Sequence, residues 1–63
     1  MTIEQFIGEF IAKHGYSPTV REIQAGCGMS STSVVHHHLR RLEREGVLTF
    51  EYMKARTIRL KEA

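Results

Sequence analysis

Several residue types are scarce or absent in this sequence of 63 residues, which has one cysteine, one proline and no aspartate. The single cysteine, Cys27, cannot form an internal disulfide, which excludes the small secreted proteins that disulfides hold together. Long hydrophobic runs are also missing, because Glu4 and Glu9 interrupt the apolar N-terminal stretch. That pattern excludes a signal peptide or a membrane span there, so we expect a cytoplasmic protein without a membrane partner.

The length and composition indicate one small globular domain over residues 1–63. Apolar residues make up 41% of the chain and charged residues 25%, which is typical of a folded protein. The net charge of +2 is unevenly distributed, since residues 36–63 contain seven lysines and arginines against four glutamates. The basic C-terminal part favours an anionic partner.

Apolar spacing and capping residues predict three helices. The first lies between the N-cap Thr2 and Gly15, where five apolar residues recur with a helical period: Ile3, Phe6, Ile7, Phe10 and Ile11. Pro18 then prevents helix continuation, and Thr19 with Glu22 forms a capping box that starts a second helix of about two turns, ending at Gly26–Gly28.

The third helix is predicted to start within residues 29–33 and to run to about Glu45, ahead of Gly46. Four of its residues recur on the face predicted to turn inward: Val35, His38, Leu39 and Leu42. Alternating polar and apolar residues then predict two strands, Val47–Tyr52 and Arg56–Leu60, joined by a turn. We assign Phe6, Phe10 and Phe50 to the core. The predicted fold is mainly α with a β-hairpin, a three-helix winged helix-turn-helix.

A helix-turn-helix with a wing is typical of proteins that bind double-stranded DNA. Its recognition helix needs an exposed N-terminal half with short or hydrogen-bonding side chains. The residues that meet this requirement, and that we predict to contact bases, are Ser31, Ser33, Val34, His36 and His37.

Phosphate contacts are predicted from the second helix, the third helix and the wing. The candidate residues are Thr19, Arg40, Arg41, Lys54 and Arg56. The four charged candidates have a plainer interpretation as well. The arginines of the third helix could form a solvated face with an Arg41–Glu45 ion pair, and the wing charges could serve to protect an edge strand.

Four segments carry a resemblance to a known family: Gly15–Ile23, Gly28–Ser31, His38–Gly46 and Ala55–Leu60. Together they resemble the N-terminal DNA-binding domain of LexA repressors over nearly the whole chain. The resemblance implies a transcriptional repressor that reads one half-site, with two copies on a palindromic operator. The peptidase domain of that family, which also dimerises, is missing here, so we expect no protease activity and a homodimer that is weak or depends on DNA.

Other functions fit the sequence less well. Three consecutive histidines, 36–38, span about 200° of a helix and cannot converge on one metal ion, so no metal or other cofactor is expected. Cys27 is interpreted as a small buried residue of the turn and not as a nucleophile. With no paired carboxylates or nucleophile–base pair, we expect neither an enzyme nor a small-molecule substrate. The alternative function is a winged-helix module that binds protein or RNA in a larger assembly.

Overall fold

The computed structural model describes residues 2–51 and 54–61. Three helices precede a two-stranded antiparallel sheet: α1 (Ile3–His14), α2 (Val20–Cys27), α3 (Thr32–Arg44), β1 (Leu48–Thr49) and β2 (Arg59–Leu60). This arrangement confirms the predicted fold class, mainly α with a β-hairpin.

The first two helices both begin with a capping box. The Thr2 hydroxyl accepts from the N–H of Gln5 at 3.1 Å, and the Gln5 side chain accepts from the N–H of Thr2 at 3.0 Å. Thr19 and Glu22 repeat this exchange at 3.1 and 2.8 Å. Side chains therefore satisfy N–H groups that have no partner inside the helix, and both predicted starts are confirmed.

The turn between α2 and α3 depends on a glycine in a left-handed conformation. Gly28 has a φ of 65°, and its N–H donates to the carbonyl of Gln24. Ser31 then caps α3, its hydroxyl accepting from the N–H of Val34 at 3.3 Å. At the far end α3 gives way to Gly46, whose φ of 80° reverses the chain toward β1 as predicted.

The core is aliphatic and lies where α2 packs on α1 and α3 and where β1 packs on α3. Its buried residues are Ile3, Ile7, Ile23, Val35, Leu39, Leu42, Leu48 and Ile58. The assignment of Phe6, Phe10 and Phe50 to the core is wrong, because all three are half-buried. Phe6 and Phe50 pack against the edge of the aliphatic cluster, and the Phe6 and Phe10 rings lie 5.9 Å apart.

The wing, defined as residues 48–60, is less regular than predicted. Its strands pair Leu48 with Leu60 and Thr49 with Arg59, and each strand is two residues long. The predicted strand Val47–Tyr52 and the turn after it include residues 52 and 53, which lie outside the described residues. Arg56 was predicted in a strand but lies in a turn with a φ of 57°.

Candidate nucleic-acid interface

The N-terminal half of α3 presents an open face opposite its buried face. Ser33 and His37 are exposed, and they border a shallow depression with His36 and Arg40. Val34 is half-buried. An exposed hydroxyl and an exposed imidazole one helical turn apart can donate to, or accept from, base edges in a major groove.

Two of the predicted base contacts are less accessible than expected. His36 was predicted to be exposed but is half-buried, because it lines the cleft between α3 and the N-terminus of α2. Ser31 is half-buried as the N-cap of α3, where its oxygen accepts a hydrogen bond from its own helix. The hydroxyl hydrogen of Ser31 can still donate.

The cleft that His36 lines has a volume of about 260 Å³ and lies between the helix-turn-helix and the wing. Apolar side chains, including Pro18, Leu39 and Ile58, form much of its lining. Three cations, Arg21, Lys54 and Arg56, and the cap residue Thr19 line it as well. Arg21 is not among the predicted phosphate contacts. It is the second residue of a capped helix, and a cation at that position can meet a phosphate near the helix N-terminus.

Glu22 links the start of α2 to the wing. Its carboxylate accepts from the Thr19 N–H at 2.8 Å and from Arg56 Nη1 at 3.1 Å. The hydrogen bond from the Thr19 backbone lowers the pKa of Glu22 the most; partial desolvation opposes it, and Arg56 adds to the lowering. The charged form of Glu22 is thereby favoured in the folded chain.

Arg56 points back onto the body of the domain. Besides Glu22, its Nη1 donates to the carbonyl oxygen of Ser17 at 3.0 Å, and its guanidinium lies 4.6 Å from the centre of the Tyr16 ring. These partners are 34 to 40 residues away in the sequence, so no local pattern indicates them. The phosphate contact predicted for Arg56 stays a prediction.

The other predicted phosphate ligands differ in their surroundings. Lys54 is exposed, and its Nζ lies 3.8 Å from Glu51 Oε1. Arg41 forms the predicted ion pair with Glu45, with 3.8 Å between Nε and Oε2. Arg40 is exposed on the same side of α3 as His37, where both border the depression described above.

Within residues 2–51 and 54–61, no group of three histidine, cysteine or glutamate side chains is placed to bind a metal ion. None of the helices in this part of the chain has the length and apolar character that crossing a membrane requires. Cys27 is the last residue of α2 and is half-buried, and its burial raises the pKa of the thiol. A raised pKa reduces the thiolate fraction that a nucleophile needs.

Comparison with known proteins identifies the family. Residues 1–57 match the LexA DNA binding domain family. The chain belongs to this family. It is 50% identical to the LexA repressor of Clostridium novyi over 58 aligned residues. These residues make up 92% of this chain and 28% of that protein. It is 46% identical to the LexA repressor of Lactobacillus delbrueckii subsp. bulgaricus over 63 aligned residues. These residues make up 100% of this chain and 31% of that protein.

Membership in the LexA DNA-binding domain family confirms the predicted resemblance and the predicted class of function, a DNA-binding regulatory domain and not an enzyme. The chain spans about a third or less of the curated LexA repressors it matches. The individual base and phosphate contacts remain predictions, as do the operator and the homodimer.

Proposed function

We propose that this domain binds one half-site of a palindromic operator in double-stranded DNA and represses transcription by blocking access of polymerase. The observation that carries this proposal is the open face of α3, with Ser33 and His37 exposed, in a chain of the LexA DNA-binding domain family. We also propose a cytoplasmic location, because that is where DNA lies in the bacteria that carry the relatives named above.

In the proposed complex, α3 enters the major groove and reads bases. The five residues that contact bases are Ser31, Ser33, Val34, His36 and His37. Ser33 and His37 are the most accessible of them, so we expect them to contribute most of the base discrimination.

Phosphates are held along the cleft between the start of α2 and the wing in this proposal. Thr19 and the N–H groups at the start of α2 face one phosphate, and Lys54 on the wing meets another. Arg40 and Arg41 extend the positive surface along α3. Arg56 also contributes its charge here, although its Nη1 is shared by Ser17 and Glu22.

Palindromic recognition requires two copies. The wing and the face of α3 read one half-site, and a second copy related by the two-fold axis of the operator reads the other. We propose that the two copies associate weakly or only on DNA.

The test is fluorescence anisotropy with a LexA-type palindromic duplex and a scrambled duplex over a range of salt concentrations. We expect preference for the operator at every salt concentration, with log affinity falling by about 0.9 per phosphate contact for each unit of log salt. Weak binding to both duplexes with little dependence on salt would refute the proposal and favour the module that binds protein or RNA.

Three variants separate the proposed roles. Ser33→Ala and His37→Ala should reduce discrimination between operator and scrambled DNA by about 1–3 kcal/mol. Lys54→Ala should weaken binding to both duplexes alike and make the salt slope shallower by about 1. If all three variants lower affinity equally for every sequence, the assignment of base contacts to α3 is wrong.

A further inference from the structure

Among the described residues of the wing, few main-chain hydrogen bonds join one strand and its turn to the other. Its strands are two residues long, and the turn beyond them is closed by the Lys54 N–H, which donates to the Glu51 carbonyl at 3.3 Å, and by the side chain of Thr57. The Thr57 hydroxyl accepts from the N–H of Glu51 at 2.9 Å and lies 3.2 Å from the carbonyl oxygens of Glu51 and Lys54. These bonds shape the turn, but they do not fix its position relative to the helices.

Arg56 supplies a connection from this turn to the helices. Its Nη1 joins the Ser17 carbonyl at 3.0 Å and the Glu22 carboxylate at 3.1 Å, and Tyr16 lies under the guanidinium. The left-handed φ of 57° is uncommon for a residue other than glycine, and here it accompanies a side chain with three partners on one side. The guanidinium therefore bridges the wing and the start of α2.

Glu22 makes this bridge relevant to DNA. A carboxylate beside the N-terminus of a helix stabilises that helix but repels a phosphate approaching the same N–H groups. Arg56 lies against this carboxylate and offsets its charge, while Lys54, two residues earlier, is on the same turn.

We propose that Arg56 is a positioning residue of the DNA interface: acting through Glu22 and the Ser17 carbonyl, it holds the wing turn, and with it Lys54, at a fixed place beside the start of α2. The inference rests on the proposed function and assigns to Arg56 a role other than that of direct phosphate ligand.

Glu22→Gln tests this inference because the two roles predict opposite signs. If Arg56 contacts phosphate directly, removing a nearby negative charge leaves operator affinity unchanged or raises it. If Arg56 positions the wing through Glu22, the same substitution weakens operator binding, by about two- to fivefold for a pair that is half exposed. The capping box should survive, since Gln5 already fills the equivalent position in α1, accepting from Thr2 at 3.0 Å.

Glu9→Gln is the matched control. Glu9 is an exposed glutamate of α1 with no ion pair among the described residues, so its substitution changes the net charge by the same amount without touching the bridge. We expect this variant to bind the operator as the unsubstituted chain does, or slightly more tightly.

Arg56→Lys adds a second test, because lysine keeps the charge but has no planar group to stack on the Tyr16 ring. A positioning role predicts that Arg56→Lys weakens operator binding as much as Glu22→Gln does, and that the double variant is no worse than either single variant. Additive losses, or an Arg56→Lys variant that binds normally, would overturn the proposal.

Amide hydrogen exchange without DNA separates this inference from the proposed function. The N–H groups of Glu51 and Lys54, which donate to the Thr57 hydroxyl and the Glu51 carbonyl, should exchange faster in Glu22→Gln and Arg56→Lys, while those of α1 remain unchanged. Unchanged exchange at the wing would refute the positioning role even if the chain binds its operator. An unsubstituted chain that binds no duplex would refute the proposed function, and the exchange measurement would still decide whether Arg56 holds the wing.

Discussion

At Gly26 the ring of Phe6 occupies the space that a Cβ atom would fill. A Cβ built on Gly26 would collide with the Cε2, Cζ and Cδ2 atoms of Phe6. Gly26→Ala should therefore destabilise the domain by about 1–3 kcal/mol, because Phe6 must leave its place between α1 and α2. Chemical unfolding followed by circular dichroism measures this difference.

Gly8→Ala is the matched control, since it is also a glycine-to-alanine change inside a helix. A Cβ at Gly8 would meet Leu60 Cδ1 at 3.6 Å, an ordinary van der Waals distance. The better helix propensity of alanine should then raise stability by about 0.5–1 kcal/mol. Should Gly26→Ala prove as stable as Gly8→Ala, the contact between Phe6 and Gly26 does not limit the packing of α1 on α2.

Glu22 should make the stability of the domain depend on acid pH. Its pKa is lower in the folded chain than its ordinary value, chiefly through the Thr19 backbone N–H. The resulting contribution to stability is complete above the unfolded pKa, about 4.3, and is lost as the pH falls through the lower folded pKa. The difference in Tm between the unsubstituted chain and Glu22→Gln should thus be largest near pH 7 and should shrink below pH of about 4. A difference that grows toward low pH would contradict this assignment.

At the scale of secondary structure, the two capping boxes offer a comparison within one chain. Thr19→Ala and Thr2→Ala remove the same hydroxyl from the same motif, and each should cost about 0.5–2 kcal/mol in stability. Only Thr19 lies at the cleft below the wing, so only Thr19→Ala should also weaken DNA binding. Thermal unfolding and anisotropy on both variants check the two effects separately. Equal losses of DNA affinity would mean that the caps act on binding through stability alone.

The helices were predictable because their ends are set by residues close in sequence. Thr2, Thr19 and Ser31 each cap a helix by accepting a hydrogen bond from the N–H group three positions later, and the sequence predicts the first two of these caps. For α3 the sequence places the N-cap only within residues 29–33, because several residues there can cap a helix. For α3 the inward positions Val35 and Leu39 also followed from the helical period, and both are buried.

The sequence predicts a more regular wing than the structure shows. Alternating residues indicated two long strands, but the Thr57 hydroxyl bonds main-chain groups that strand pairing would otherwise use, and the ladder is correspondingly short. The bridge from Arg56 to Glu22 is a contact over 34 residues, which no local pattern reports. The half-buried state of His36 has the same origin, since it follows from how α2 and the wing lie against α3.

At the scale of the whole molecule, size limits what one copy can read. The described residues extend 30 × 26 × 23 Å. One turn of DNA is about 34–36 Å long, which is also the spacing of half-sites in many operators read by helix-turn-helix dimers. A single copy therefore covers less than one turn on one face of the duplex, and two copies on adjacent half-sites fit without overlapping.

Joining two copies in one chain tests whether they bind adjacent half-sites of the operator. A tandem chain with a flexible glycine-serine linker should bind the palindromic operator about 100-fold or more tightly than the single chain, because the second binding event becomes intramolecular. On a duplex with one half-site scrambled, the gain should be much smaller, since the second copy finds only non-specific contacts. Anisotropy titrations of both proteins on both duplexes measure the two gains. An equal gain on the two duplexes would show that added positive charge, and not a second half-site, is what the tandem chain uses.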